Sequence, residues 1–411
     1  MPIAGDENLS PEDVTRMLHS IRAAFADLLH SVGADLSRSR ETARQLELSR
    51  GLIWRVSTIV ASDDMAVVAQ KMPTRESVER LCRACGAQGA STESIENTRA
   101  AVREFEDTVK RFSGDRKSLA MILSSAASKD ITDQQEPARK LAYQANSTIW
   151  GTQARVQLQS SFIAPSSNNE IGTVDYASVS ALIGIRRLRS VSWPVYVASV
   201  RGDEGQSLAF TYEPIDRANA MPEGPPLLME YCSSPLPEIR ALPLESGTVY
   251  SLAEGPIGNP GIATVAFGII SRGGQTRYRS ENDEVLNFGT YMHTPVERIV
   301  MDLFVHRDLG LPLPPDVMLI DRMVHPHQEG ISVEEAERKR MPISVDPREL
   351  SPGLASSVTP QIPWYPRLLN DVYERGGWTP DDFRGYRLEM NYPPNPTALV
   401  FGLKKPGRPV A

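Results

Sequence analysis

Apolar residues in the N-terminal part of the chain recur at helical spacing. Val14, Leu18, Ile21, Phe25, Leu28 and Leu29 share one stripe of a 3.6-residue repeat. Ser10 stands before it as an N-cap, Pro11 takes the first helical position, and Glu12 and Asp13 occupy the first turn, where the helix dipole favours anions. Gly33 supplies the stop. Ile95, Thr98, Val102, Phe105, Val109 and Phe112 alternate in steps of three and four, a seam suited to packing inside a bundle or, as the alternative, to pairing with a second chain. Gly114 ends that helix, and "DRKSLAMILSSAAS" predicts another. Residues 1–127 therefore read as all-α.

The pattern changes near residue 128. "SKDITDQQEPARK" is polar and contains Pro137, so residues 128–145 are expected to be a linker. Beyond it, "ARVQLQSSF", "TVAFGIISR", "YRLEMNY" and "TALVFGLKK" carry the short alternation of strands, and the last two are candidates for a terminal hairpin around "PPNP". "TPVERIVMDLFVHRDL", "SVEEAERKR" and "PRLLNDVYERGG" predict helices among them. Strands and helices that do not alternate strictly imply an α+β region over 146–411, in a multi-domain chain. A length of 411 residues agrees with more than one core.

One segment of the helical part carries a tighter pattern. In "ARQLELSRGLIWRV", Ala43 is small where two helices would touch, and Leu46, Leu48, Ile53 and Val56 supply an apolar corner. Ser49 is placed to cap the second helix. With these residues, the stretch 40–59 resembles the helix-turn-helix of bacterial transcription regulators. The resemblance implies a second helix in the major groove of double-stranded DNA, reading bases from its N-terminal half and outward face. By position those residues are Ser49, Arg50, Gly51, Trp54 and Arg55, with Arg44 facing the phosphate backbone. A homodimer that reads paired half-sites is expected because one module buries little surface, and the C-terminal region is expected to sense a small-molecule effector, mediate self-association or contact a partner. Where the family usually has glycine in the turn, this chain has Glu47.

Charge sharpens the local picture. The chain has 44 Lys and Arg against 51 Asp and Glu, a net charge of −7, which argues against a surface that coats nucleic acid or membrane as a whole. Between Arg38 and Arg55, however, Arg38, Arg40, Arg44, Arg50 and Arg55 face only Glu41 and Glu47. A basic patch on an acidic protein fits a local DNA-binding module. No apolar run approaches a membrane span, and the polar start "MPIAGDENLSPEDV" lacks the features of a secretory signal, so a cytoplasmic location is expected.

Other constellations point less far. Cys82, Cys85 and Cys232 are too few for a disulfide framework, and Cys82 and Cys85 fall within a helical pattern as small buried hydrophobes. "VHRDLG" matches a fragment of a kinase catalytic loop, without the Gly-rich loop or the metal-binding Asp-Phe-Gly that the chemistry needs. His325 and His327, with His306, His293 or Asp321 nearby in sequence, form the alternative reading: an enzyme with a histidine-containing, metal-dependent site in the C-terminal region. No catalytic residue, metal ligand set or cofactor motif is assigned, and the leading expectation is a sequence-specific DNA-binding regulator.

Overall fold

The computed structural model describes residues 10–126, 131–167, 172–199, 212–220, 224–244, 247–280, 284–321, 340–343 and 345–408. The chain divides into two compact units, Met1–Ile131 and Thr132–Ala411.

The first unit is helical, as its periodicity predicts. Helix α1 (Pro11–Ser31) opens on a capping box in which the Ser10 hydroxyl accepts from the Asp13 amide while the Asp13 carboxylate accepts from the Ser10 amide. Six helices follow: α2 (Ser39–Gln45), α3 (Arg50–Ala61), α4 (Met65–Lys71), α5 (Arg75–Ala87), α6 (Thr92–Phe112) and α7 (Arg116–Ala126). Val14, Leu18, Ile21, Phe25, Leu28 and Leu29 are all buried in one core with Ile53, Val56, Ile59, Val102 and Phe105. The seam on α6 faces that core, with Thr98 also donating to the Ala24 carbonyl of α1 at 3.3 Å. It packs within the bundle. Gly114, at φ +80°, stands just past α6, in the left-handed region that glycine enters without steric cost.

The second unit begins where a linker was expected. From Ile131 the chain forms helix α8 (Ile131–Trp150), with Pro137 inside it, so the expectation of a linker over 128–145 is overturned for its greater part. Polar composition misled because α8 is held by polar contacts. Arg139 donates to the Asn391 carbonyl, Asn146 to the Asn395 carbonyl, and the Asn391 amide to Glu136, while the Tyr143 and Tyr392 rings lie 5.3 Å apart.

After α8 the unit is mainly sheet. Its strands are β1 (Thr152–Pro165), β2 (Thr173–Arg187), β3 (Trp193–Ser199), β4 (Tyr212–Pro214), β5 (Ile239–Leu244), β6 (Gly247–Leu252), β7 (Ala263–Thr276), β8 (Val285–Met292), β9 (Val296–His306), β10 (Asp316–Asp321), β11 (Arg348–Leu350), β12 (Phe383–Asn391) and β13 (Thr397–Lys404). Seven form one mixed sheet in the order β11-β12-β9-β1-β2-β7-β4, with β1 and β9 parallel. Two three-stranded sheets, β10-β13-β8 and β3-β6-β5, complete the set. Helix α9 (Tyr365–Gly376) packs Tyr365, Leu368, Leu369, Val372 and Tyr373 onto one face of the large sheet, against Val156, Leu158, Phe162, Val300 and Phe304. The opposite face meets β8, β10 and β13 through Phe288, Leu319, Leu399 and Phe401.

Two further expectations fail here. "TPVERIVMDLFVHRDL" is not a helix but the interior strand β9, between β12 and β1, followed by a short 3-10 turn over Arg307–Leu309. Its residues alternate between the two cores, Ile299, Met301, Leu303 and Val305 to one side and Val300 and Phe304 to the other. A strand buried on both faces reads as a continuous apolar run, which a helix can imitate. Nor do β12 and β13 pair as a hairpin, since β12 lies between β11 and β9 while β13 lies between β10 and β8. Pro393, Pro394 and Pro396, lacking amide protons, cannot extend a ladder, and the chain crosses between sheets there.

Candidate nucleic-acid interface

The segment 39–61 folds as two helices joined by a tight corner. Helix α2 ends in paired backbone hydrogen bonds: the Glu47 amide donates to the Arg44 carbonyl at 3.2 Å and the Leu48 amide to the Ala43 carbonyl at 2.9 Å. This is the Schellman arrangement, in which the residue after the C-cap turns left-handed. Glu47 occupies that position with φ +52°. The backbone at the turn thus takes the left-handed conformation that glycine enters most readily, although glycine is absent. Ser49 then caps α3, its hydroxyl accepting from the Leu52 amide at 3.3 Å.

The apolar positions turn inward as the spacing predicts. Ala43, Leu46, Ile53 and Val56 are buried, and Leu48 is half-buried against the same core. Two contacts from α1 and its C-terminal end hold the pair in place. Arg22 donates to the Ser62 carbonyl, just past α3, at 2.8 Å, and the Gln45 amide reaches the Val32 carbonyl at 3.0 Å.

The outward face of α3 carries Arg50, Gly51, Trp54 and Arg55, all exposed, and Arg44 and Ser49 are exposed beside it. Trp54 keeps 51% of its surface in solvent. Among the described residues no ion pair engages Arg40, Arg44, Arg50 or Arg55, whereas Arg38 is paired with both Asp35 and Glu41. The nearby acids are occupied as well. Asp63 pairs with Arg22, and the Asp64 carboxylate caps α4 through the Ala66 amide. Glu47 is the exception and stays exposed at the corner. The face therefore offers donors and positive charge, and its chemistry suits an anionic partner. One member was not legible in the motif: Lys71, at the end of α4, has its Nζ 5.1 Å from the centroid of the Trp54 ring.

The histidine-centred alternative gains nothing from the described residues. His325 and His327, and "SVEEAERKR", lie outside them. His306 ends β9, where its Nδ1 accepts from the Asp308 amide, and His293 contacts the Pro194 carbonyl beside the Trp193 ring. Among the described residues no group of three or more His, Cys, Asp or Glu side chains is arranged to hold a metal ion. Cys82 and Cys85 are buried on α5, and burial pushes their thiols up to about 11 and about 12, far from the thiolate that redox or metal chemistry needs. A shallow cleft in the second unit is lined by Phe304, Tyr373, Phe383 and the 351–357 turn, with no carboxylate, imidazole or thiol in its wall.

The second unit holds a polar cluster that sequence reasoning missed. Arg387 of β12 grips Asp302 of β9 through two hydrogen bonds of 2.8 and 2.7 Å and donates also to the Ser357 carbonyl. The Tyr365 hydroxyl reaches Asp302 at 2.6 Å and Ser160 at 2.7 Å. Burial, then the adjoining Asp302 charge, raise the Tyr365 hydroxyl well above its ordinary pKa, so it remains a donor. All five residues are buried, which closes the cluster to a ligand and marks it as architectural.

Among the described residues, no helix is long and apolar enough to cross a membrane. Comparison of the chain with protein-family models, curated proteins and solved structures gives no match.

Proposed function

We propose that the first unit binds double-stranded DNA through α2 and α3, with α3 in the major groove. The observation that carries this reading is the solvent-facing side of α3, where Arg50 and Arg55 flank Gly51 and Trp54 with no acidic partner among the described residues. Arginine presents a planar fork that matches the O6 and N7 acceptors of guanine, and each such pair contributes about 1–3 kcal/mol of base discrimination. Ser49 is exposed beside them at the helix start, and Arg44, exposed on α2, is the proposed contact to the phosphate backbone. One module buries little surface, so a specific site calls for two copies reading half-sites about one helical turn apart. The protein is then a transcriptional regulator, and its sheet-rich second unit responds to an effector or mediates self-association.

The decisive experiment is selection of bound duplexes from a random pool, followed by affinity measurements on the selected site with Arg50→Ala and Arg55→Ala. Each variant is expected to weaken specific binding by roughly ten-fold or more while leaving the melting temperature unchanged. Equal affinity of both variants and the wild type would refute the reading.

A further inference from the structure

Trp54 is an unusual residue for the outward face of a helix, because a half-exposed indole retains a large apolar surface in water. Its surroundings give it a role. Lys71, in the last turn of α4, lies with its ammonium 5.1 Å from the indole centroid, within the range of a cation–π contact. Lys71 lies outside the helix-turn-helix and has no carboxylate partner among the described residues. A lysine in open solvent samples many rotamers. Resting on the indole, it loses part of that freedom in advance, and its charge is held beside α3 rather than dispersed in solvent.

Neighbouring cations make the position meaningful. Arg50 and Arg55 share the exposed face of α3 with Trp54, and the half-buried Lys71 brings its ammonium to the edge of that face from α4. A compact ammonium does not match a base edge as a guanidinium does, but it binds phosphate well as a point charge. We propose that Lys71 is a DNA-backbone contact: it takes a phosphate flanking the groove that α3 enters, and Trp54 is the positioning residue that aims it. This deepens the DNA-binding reading and rests on it.

The test is affinity as a function of salt, measured for the full-length protein on its selected duplex and on duplexes of mixed sequence. The variants are Lys71→Ala, Trp54→Ala and the double substitution. Removing one phosphate contact lowers the slope of log affinity against log salt by about one, and weakens selected and mixed duplexes by the same factor. Lys71→Ala is expected to do both without changing the melting temperature. If Trp54 aims the lysine, Lys71→Ala costs less in the Trp54→Ala background than in the wild type. An unchanged salt slope in Lys71→Ala, with the wild type binding normally, overturns the contact but leaves the DNA-binding reading intact. Strictly additive losses overturn the aiming role. A wild-type protein that binds no duplex at low salt overturns the DNA-binding reading and the lysine contact together.

Discussion

The amide of Leu48 donates to the carbonyl of Ala43 across a corner in which the intervening Glu47 is left-handed. The bond sets the angle at which α3 leaves α2, and so the presentation of Arg50 and Arg55. It is made at a cost, since a side chain in this region opposes the backbone by about 1–2 kcal/mol.

Glu47→Gly is therefore expected to stabilise the first unit by about 1 kcal/mol, the relief of strain slightly exceeding the entropy that glycine adds to the unfolded chain. Thermal or urea denaturation reads this directly. The same variant removes the exposed carboxylate at the corner, and should tighten DNA binding at low salt. A destabilised Glu47→Gly would show that the side chain makes a compensating contact.

Gly51 offers a test in which stability and binding move in opposite directions. A Cβ built there meets nothing within 4 Å, and its backbone is helical, so no contact within the protein requires glycine. Gly51→Ala should stabilise α3 by about 0.5 kcal/mol. If DNA approaches the start of α3, the added methyl should weaken binding several-fold. Unchanged affinity would place the closest approach elsewhere.

Asp302 and Arg387 should behave as a buried pair whose halves cannot be separated. Asp302→Asn leaves the buried guanidinium with only Glu389, 3.8 Å away, as counter-charge, and is expected to lower the stability of the second unit by about 3 kcal/mol. Tyr365→Phe removes one hydrogen bond from the same carboxylate and from Ser160, for about 1–3 kcal/mol. Calorimetry on the full chain measures both. DNA binding at a temperature where both units remain folded should be unaffected.

Cys82 and Cys85 give the first unit an alkaline sensitivity of defined sign. Their thiols ionise at about 11 and about 12 when folded, against an ordinary value of 9.0, so the unfolded chain releases protons first as pH rises. Their contribution to stability is complete below about 9 and declines toward 11 and above. The double variant Cys82→Ala, Cys85→Ala should lose stability with pH less steeply over that interval. At neutral pH both thiols in the folded protein should resist alkylation until denaturant is added.

Legibility in the sequence followed how many faces an element buries. Helix α1 and the corner from Ala43 to Val56 bury one face each, so their apolar spacing registered in the chain, caps and stop included. Strand β9 buries both faces, and its continuous apolar run from Ile299 to Val305 imitates a helix. The polar docking of α8 hid a packed helix under a linker's composition. The Asp302–Arg387 pair left a faint trace: a lone acid inside "VMDLFV" and a lone base inside "YRLEM" are opposite charges in two strand-like apolar settings. Lys71 left none, because its relation to Trp54 arises only from the angle between α3 and α4.

The Asp302–Arg387 bond also fixes an order of events during synthesis. The carboxylate leaves the ribosome 85 residues ahead of the guanidinium that neutralises it. Until β12 has emerged, the middle of the sheet would have to enclose a bare anion, so the second unit must wait for nearly its whole length. The first unit ends at Ile131, so the residues of its α3 surface have all been synthesised before the second unit begins.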